Sequence, residues 1–441
     1  MRRDSDSAET SRPRIRIVVL DHNGGAMTVS CVSSLLATQP PSARFQVVVV
    51  DNGSARSVVE SMARHPAVEV RRSETNLGFA GGVNLGLTDL DGVDFVGLVN
   101  NDVEVGAGWL EPLIELLESD RSLGAASPKM LFAGQFYEVE LTTETHVPGR
   151  GDHRRLGVRY HATQLPPDVL TGAQLVEGFF GPERGDARTG WFQWTGSRAV
   201  LRIPSDGVSS GGSCLIRLSA EEPTTVTVRS GDEVTTLLVG RAPEYFDVAI
   251  DGDAFDVVNN VGTVVFDDGY AGDRGFMERD LGQYDRPDDV EAWCGGAVLL
   301  RTDFLYDAGL FDDRLFLYYE DVELSLRGAE KGWRYRLDPR SVVRHRHGAT
   351  AVHGSPRTEV LKERNRLLVL ARYRSARETA LAVLRYMFVT LSYGRRDVVV
   401  PILRARRPHF DIVRRRLVAL GGFLRMVPSM RNASAGRPHS G

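Results

Sequence analysis

Phe95-Val96-Gly97-Leu98-Val99-Asn100-Asn101-Asp102-Val103-Glu104-Val105 is an apolar run that stops abruptly at three polar residues. An uncharged run of this kind reads as a strand buried on both faces, with the polar triplet at its carboxyl end. Open α/β sheets bind ligands at that end. A carboxylate flanked by two amides suits a hard divalent cation, Mg2+ or Mn2+, shared with an oxygen-rich ligand, because the acids here are too few for an all-protein cage. Asn100 and Asn101 are therefore expected at a ligand and Asp102 at a cation.

Outward from this stretch, strands are expected at Ile15–Leu20, Phe45–Val50, Val68–Arg72 and Phe95–Val99. Helical spacing lies between and after them, at Met27–Ala37, Arg56–Arg64, Gly81–Leu90 and Trp109–Glu118. Alternation at this spacing predicts an α/β fold with a doubly wound, mostly parallel sheet. The strands end in Asp21-His22-Asn23-Gly24-Gly25, Asp51-Asn52-Gly53-Ser54, Glu74-Thr75-Asn76-Leu77-Gly78 and Asn100-Asn101-Asp102. Parallel topology gathers these loops on one rim, a polar cleft for a ligand with many hydroxyls and a diphosphate. Taken singly, Asp51 or Asn76 also reads as a turn residue or helix cap. A Rossmann site needs Gly-x-Gly-x-x-Gly after the first strand, where this chain has Asp21-His22-Asn23-Gly24-Gly25-Ala26. No phosphate-binding Gly-x-x-x-x-Gly-Lys-Ser/Thr loop occurs.

Val18–Gly24, Val48–Ser54, Asn76-Leu77-Gly78-Phe79-Ala80-Gly81-Gly82-Val83-Asn84 and Val99–Val105 together resemble glycosyltransferase family 2, especially its rhamnosyltransferase-like members. The resemblance implies a GT-A fold, a nucleotide-sugar donor and transfer with inversion. It implies nucleoside contacts for Asp21 and Asp51, a donor pocket shaped by Asn76 and Asn84, and Asp102 as the last residue of an Asp-x-Asp metal motif. Two departures stand out: Asp21-His22 opens the first loop where an Asn and an aromatic are usual, and Asn100 replaces the first Asp of the motif.

From Gly134 to about Pro287 the alternation gives way to short strand-like runs at Ala199–Ile203, Cys214–Leu218, Thr224–Val228, Glu233–Val239 and Phe246–Ile250. Gly231-Asp232 between two of them is a hairpin signal. The segment predicts an inserted antiparallel β-sandwich, in which Trp191, Phe192 and Trp194 are either a sugar-stacking surface or core. The resemblance resumes at Trp293-Cys294-Gly295-Gly296-Ala297 and continues through Gly309-Leu310-Phe311-Asp312, Tyr318-Tyr319-Glu320-Asp321 and His345-Arg346-His347. These blocks look like the family's acceptor half, with Trp293, Gly295 and Gly296 at the acceptor. Paired glycines let backbone approach a sugar closely.

Sugar transfer to a hydroxyl needs a base. Glu320 and Asp321 precede a helical pattern, so either is a base or a cap. The resemblance favours Asp321, and a helix N-terminus would favour its ionised form. His345 and His347 share one face of the strand expected before them, and His345 better matches the family's metal or diphosphate histidine. Arg364-Asn365-Arg366 recurs in relatives near the active site.

The remaining composition narrows the class. With 42% hydrophobic and 25% charged residues the chain is an ordinary globular one, and its net charge of −4 opposes a nucleic-acid partner. Three widely spaced cysteines fit a reducing cytoplasm. No uncharged apolar run of about 18 residues predicts a spanning helix. From Glu359 to Arg431, however, 17 Lys or Arg face 5 Asp or Glu, with apolar residues interleaved and Arg385 interrupting the longest apolar run. This tail reads either as a helical region lying at an anionic membrane surface or as a bundle with a basic face.

The expected organisation is a disordered leader (1–13), a nucleotide-sugar-binding half (14–133), the inserted β-domain (134–287), an acceptor-binding half (288–357), a basic helical region (358–431) and a disordered tail (432–441). The function expected is a metal-dependent, inverting glycosyltransferase, cytoplasmic and peripheral on the inner face of the cell membrane. Its donor would be dTDP-rhamnose or a UDP-sugar, its acceptor a cell-envelope glycan or lipid-linked saccharide. The rivals are an inactive carbohydrate-binding scaffold and a nucleotidyltransferase.

Overall fold

The computed structural model describes residues 12–431 except 56–61, 63, 150–151, 167–168, 170–171, 187–188, 347–354 and 406. Most of the expected helix at Arg56–Arg64, and His347, lie outside the described residues, as do the first eleven residues and the last ten. The chain forms two compact units. One comprises Met1–Met130, Asn260–Gly275 and Gly282–Gly441; the other comprises Leu131–Asn259 and Phe276–Leu281.

The first unit is built on β1 (Arg14–Asp21), β2 (Arg44–Asn52), β3 (Val68–Ser73) and β4 (Phe95–Asn100), with α1 (Ala26–Ala37) and α2 (Gly78–Gly86) between strands. They are followed by β5 (Val103–Val105), α3 (Glu111–Ser119) and β6 (Leu123–Phe132). β1 pairs in parallel with both β2 and β4, and β2 with β3. Alternation along these strands explains why both faces are apolar. Ile15, Ile17, Val19, Val47 and Val49 pack under α1 and α3 with Leu35, Trp109 and Leu113, while Val18, Val48, Val50, Val96 and Leu98 pack with Val83, Leu87 and Trp293.

Helix α2 begins at Gly78, earlier than the sequence pattern places it. Gly78 has φ +76°, and a Cβ there would strike the Phe316 carbonyl oxygen at 2.2 Å. Phe79 N donates to that same carbonyl at 2.6 Å. Gly82 and Gly86 lie against β1, where a Cβ would meet Leu20 at 2.4 Å and Val18 at 2.5 Å. The glycine-rich motif is therefore a device for laying α2 directly on the sheet.

The second unit is a separate antiparallel sheet of β7 (Phe136–Thr143), β8 (Arg159–Gln164), β9 (Gln174–Phe179), β10 (Glu183–Arg184), β11 (Trp191–Pro204), β12 (Ser213–Ser219), β13 (Thr224–Ser230), β14 (Glu233–Val239) and β15 (Glu244–Ala249). Its order is β14-β13-β7-β11-β8-β12-β15, with β9 and β10 also on β11. This is one sheet curled towards a barrel, whose inner face carries Val139, Leu141, Leu201, Ile203, Ile216 and Leu218. Gly231, at φ +55°, makes the predicted turn between β13 and β14.

Of the aromatic cluster, Phe192 and Trp194 are core, packed edge-on at 5.7 Å, and Arg159 lies 4.5 Å over the indole of Trp194. Trp191 alone is exposed, at 63%, against 4% for Trp194. Trp194→Ala should cost about 3–5 kcal/mol in chemical denaturation, and Trp191→Ala no more than about 0.5 kcal/mol. Equal losses from the two would show that this surface is misassigned.

The chain then adds β16 (Val258–Asn260), the hairpin of β17 (Thr263–Val265) and β18 (Ala271–Asp273), β19 (Asp288–Val290) and β20 (Ala297–Arg301). These lead into α4 (Thr302–Ala308), α5 (Glu320–Ala329) and β21 (Arg334–His345). β20 is antiparallel to β4, and the main sheet reads β19-β21-β6-β20-β4-β1-β2-β3. The fold is a mostly parallel, GT-A-like α/β sheet. The helical region that follows includes α6 (Pro356–Tyr373), α7 (Ala376–Gly394) and α8 (Asp411–Arg431). Among the described residues no helix is long and apolar enough to cross a membrane.

Candidate active site

The carboxyl ends of β1, β2 and β4 meet through a buried polar network. The Asp21 carboxylate accepts from Gly24 N at 3.0 Å, Ser54 Oγ at 3.0 Å and the hydroxyl of Thr28, and Asn101 Nδ2 donates to Thr28 Oγ1 at 3.0 Å. Asp51 is buried and accepts from Ser54 N at 3.0 Å. Asn52 Nδ2 donates to the Gly78 carbonyl at 2.8 Å, and Leu77 N donates to Asn52 Oδ1 at 2.8 Å. Asp21 and Asp51 thus hold the rim in shape from beneath, while Asn76 is exposed upon it. Asn52 and Ser54, from the expected rim loop, belong to this network together with Thr28, which lies within the expected helix and carries no local signal of long-range partnership. Asn84 clamps α2 to the segment after α4: its Nδ2 donates to the Phe311 carbonyl at 2.9 Å, and Phe311 N donates to its Oδ1 at 3.1 Å.

Asp102 is brought to His345 by strand register. β5 pairs antiparallel with the end of β21, setting His345 opposite Val103, the residue after Asp102. His345 Nε2 lies 3.2 Å from Asp102 Oδ1, and both side chains are largely buried. Arg346 N donates to the Asp102 carbonyl at 2.8 Å, and the Arg346 guanidinium pairs with Glu104. Among the described residues no group of three or more His, Cys, Asp and Glu is placed to hold a metal. A carboxylate and an imidazole on one edge nevertheless suit a divalent cation that takes its other ligands from phosphate oxygens and water.

The paired glycines bridge the end of β4 and the start of α5. Asn100 N donates to the Gly296 carbonyl at 2.8 Å, and Gly295 N donates to Asp321 Oδ2 at 2.9 Å. A Cβ on Gly295 would sit 3.2 Å from the Phe79 ring and 3.6 Å from the Asp321 Cβ. Trp293 is wholly buried, edge-on to Phe311 at 6.0 Å, and so lies beneath this surface.

The acids sit in the first turn of α5, behind Tyr319, which occupies the N-cap at φ +72°. Neither acid is the cap. Val322 N donates to Asp321 Oδ1 at 2.8 Å. Burial raises the Asp321 carboxyl above its ordinary range, the Gly295 and Val322 amides pull it back, and Asp273 pushes it further up. Burial therefore outweighs the helix N-terminus, which by itself favours ionisation. The backbone ahead of the acids is left-handed at Phe316, Tyr318 and Tyr319. Asn365 braces it, with Nδ2 within 2.8 Å of the Leu315 carbonyl, 3.0 Å of Leu317 and 2.7 Å of Tyr318. The Arg-Asn-Arg signal identified this residue, but its contacts make it a support for the acids.

Glu320 is buried, and its Oε2 has no hydrogen-bond partner among the described residues. Burial and the neighbouring Asp321 hold its pKa well above the usual range. The folded protein thus binds this proton more tightly than the unfolded chain. Stability from this group is complete below about pH 4.3 and is lost as pH rises through the folded pKa. Glu320→Gln should therefore be more stable than wild type above that window, by about 1.4 kcal/mol per unit of elevation, the gap closing in acid. Urea titrations across pH that show a constant gap would refute the assignment.

Residues 16–163 match the model for Glycosyl transferase family 2, and this part of the chain is a domain of that family. Mouse polypeptide N-acetylgalactosaminyltransferase 15 is 31% identical over 116 residues, which are 25% of this chain and 18% of that protein. The chain thus spans under a fifth of the length of this curated relative. Among solved structures, GalNAc-T7 with UDP, GalNAc and Mn2+ aligns over 87% of this chain and 51% of its own at 14% identity and a TM-score of 0.47. S. aureus TarS 1-349 aligns over 96% and 83% at 12% identity and a TM-score of 0.41.

Proposed function

We propose that this protein is an inverting glycosyltransferase that moves a sugar from a nucleotide-diphosphate sugar to a hydroxyl of a cell-envelope glycan or lipid-linked saccharide. The donor proposed is dTDP-rhamnose or a UDP-sugar, on the strength of the family resemblance carried by Asn76–Asn84. One observation carries the reading. The end of β4 is joined on one side to His345 through β5 and β21, and on the other to Asp321 through Gly295 and Gly296. The pair proposed for the cation and the carboxylate proposed as base thereby flank one rim, within the chain that carries the family 2 domain.

Asp102 and His345 would hold Mg2+ or Mn2+, which when bound neutralises charge on the leaving diphosphate. The Asp321 carboxylate takes the proton of the acceptor hydroxyl while that oxygen attacks the anomeric carbon from the side opposite the diphosphate. The bond from sugar to diphosphate breaks, and a nucleoside diphosphate departs. Gly295 keeps its amide on the Asp321 carboxylate and leaves open the space a side chain would fill. The work would take place at the inner face of the cell membrane, with the Arg-rich helices towards the lipid.

The test is a panel of nucleotide sugars, with and without Mg2+ or Mn2+, read by nucleoside diphosphate release. Release from one donor, rising with acceptor, is the expected result. Release of inorganic diphosphate from a nucleoside triphosphate would indicate a nucleotidyltransferase instead. Glycan binding with no turnover of any donor would indicate a scaffold.

A further inference from the structure

A cleft of about 650 Å³ opens among α6, α7, α8 and the turn between β17 and β18. Helix α7 supplies Arg385, Tyr386, Val389 and Tyr393 to it, and α8 supplies Arg415 and Arg416. None of these three arginines has a carboxylate partner among the described residues. Arg416 lies 3.8 Å over the Tyr386 ring and donates to Thr390 Oγ1 at 2.9 Å, and Arg415 makes a single main-chain bond, to Asp411 at 3.3 Å. The acidic lining comes from other elements and is partly consumed. Glu363 pairs with Arg366 at 3.0 Å and accepts from Tyr270 at 2.9 Å, leaving Glu359 and Asp268 as acceptors for hydroxyl groups.

Helical geometry sets an apolar stripe beside this polar face. At 100° per residue, Leu381, Leu384, Phe388 and Leu391 fall on the face of α7 adjoining the one that carries residues 382, 385, 389 and 393. Phe388 and Leu391 are each 72% exposed, and Leu381 and Leu384 more than half exposed. On α8, Leu417, Val418 and Leu424 are likewise exposed. Four large apolar side chains in register on one helix are an unusual surface for a purely aqueous environment. Arginines with no acidic partner at their edge complement an anionic headgroup. The turn that carries Tyr270 is tied to the segment ahead of the acids: the next residue, Ala271, donates its N–H to Tyr319 OH at 3.2 Å.

We propose that this cleft binds the phosphate-bearing headgroup of an anionic lipid, with the hydrocarbon resting on the α7 stripe. Resting on the glycosyltransferase reading above, the same site receives the lipid end of a lipid-borne acceptor and turns its sugar towards Asp321.

Sedimentation with vesicles tests this. Wild-type protein should bind phosphatidylcholine vesicles containing phosphatidylglycerol and not pure phosphatidylcholine. Arg385→Glu/Arg415→Glu should lose about tenfold or more in affinity, and Leu384→Ser/Phe388→Ser should lose a comparable amount while unfolding as wild type does. Soluble glycerol phosphate should compete only weakly, because it lacks the hydrocarbon. Four outcomes overturn the proposal: equal binding to both vesicles, unchanged binding by the arginine variants, full competition by glycerol phosphate, or a concentration-dependent dimer abolished by Leu384→Ser/Phe388→Ser. Nucleoside diphosphate release without lipid is read in parallel. If it is absent throughout while binding still depends on the arginines, the headgroup site stands and the transferase reading falls.

Discussion

Asp321→Asn is expected to slow sugar transfer by about a thousandfold, within the range a positioned base contributes, with donor affinity and the unfolding transition near wild type. Asparagine keeps an oxygen for the Gly295 or Val322 amide, so the turn survives while the proton acceptor is lost. The upward displacement of the Asp321 carboxyl gives the loss a pH signature. A base must be deprotonated, so kcat/KM falls as pH drops through the raised pKa, placing the acid limb above the ordinary value of about 3.9. Asp273 contributes to the elevation, so Asp273→Asn should move that limb to lower pH. An Asp321→Asn enzyme with near-normal turnover would remove Asp321 from the chemistry, and an unmoved limb in Asp273→Asn would break the link between the two acids.

Asp102→Ala should abolish most transfer, by on the order of a hundredfold or more, because several kcal/mol of leaving-group charge stabilisation depends on a held cation. His345→Ala, removing the imidazole of the pair, should lose less and recover part of its activity in excess Mn2+. The basis is their 3.2 Å approach. Titrating Mn2+ against turnover separates the two: His345→Ala should shift the half-saturating concentration upward, whereas Asp102→Ala should lower the plateau. Full wild-type activity after exhaustive chelation would end the metal reading, whatever the two variants do.

Wherever the signal was local, the sequence and the structure agree closely. The run Val47–Val50 and its counterparts could only be strands buried on two faces, and Gly231-Asp232 only a tight turn. The glycine motif after β3 was legible as a marker, but its work, laying α2 on Leu20 and Val18, depends on a neighbour about 60 residues away. Asn84 illustrates the difference. Its family position suggests a pocket wall, whereas both its polar atoms are spent on Phe311, 227 residues on. The Asp321 carboxyl is a similar case: a helix N-terminus is visible in the sequence, but the burial that outweighs it is a property of packing.

The amino-acid sequence by itself determined the alternation of strands and helices, the polar ends of the strands, and the residue types a sugar transfer would need, because periodicity and turn chemistry act over a few residues. Only the tertiary structure decided which of those residues meet. The register of β5 against β21 puts His345 on Asp102, and Gly295 and Gly296 tie the end of β4 to Asp321. The first of these is a hydrogen-bond ladder closed between segments more than 200 residues apart, and a strand's own pattern of side chains does not encode which partner it will find.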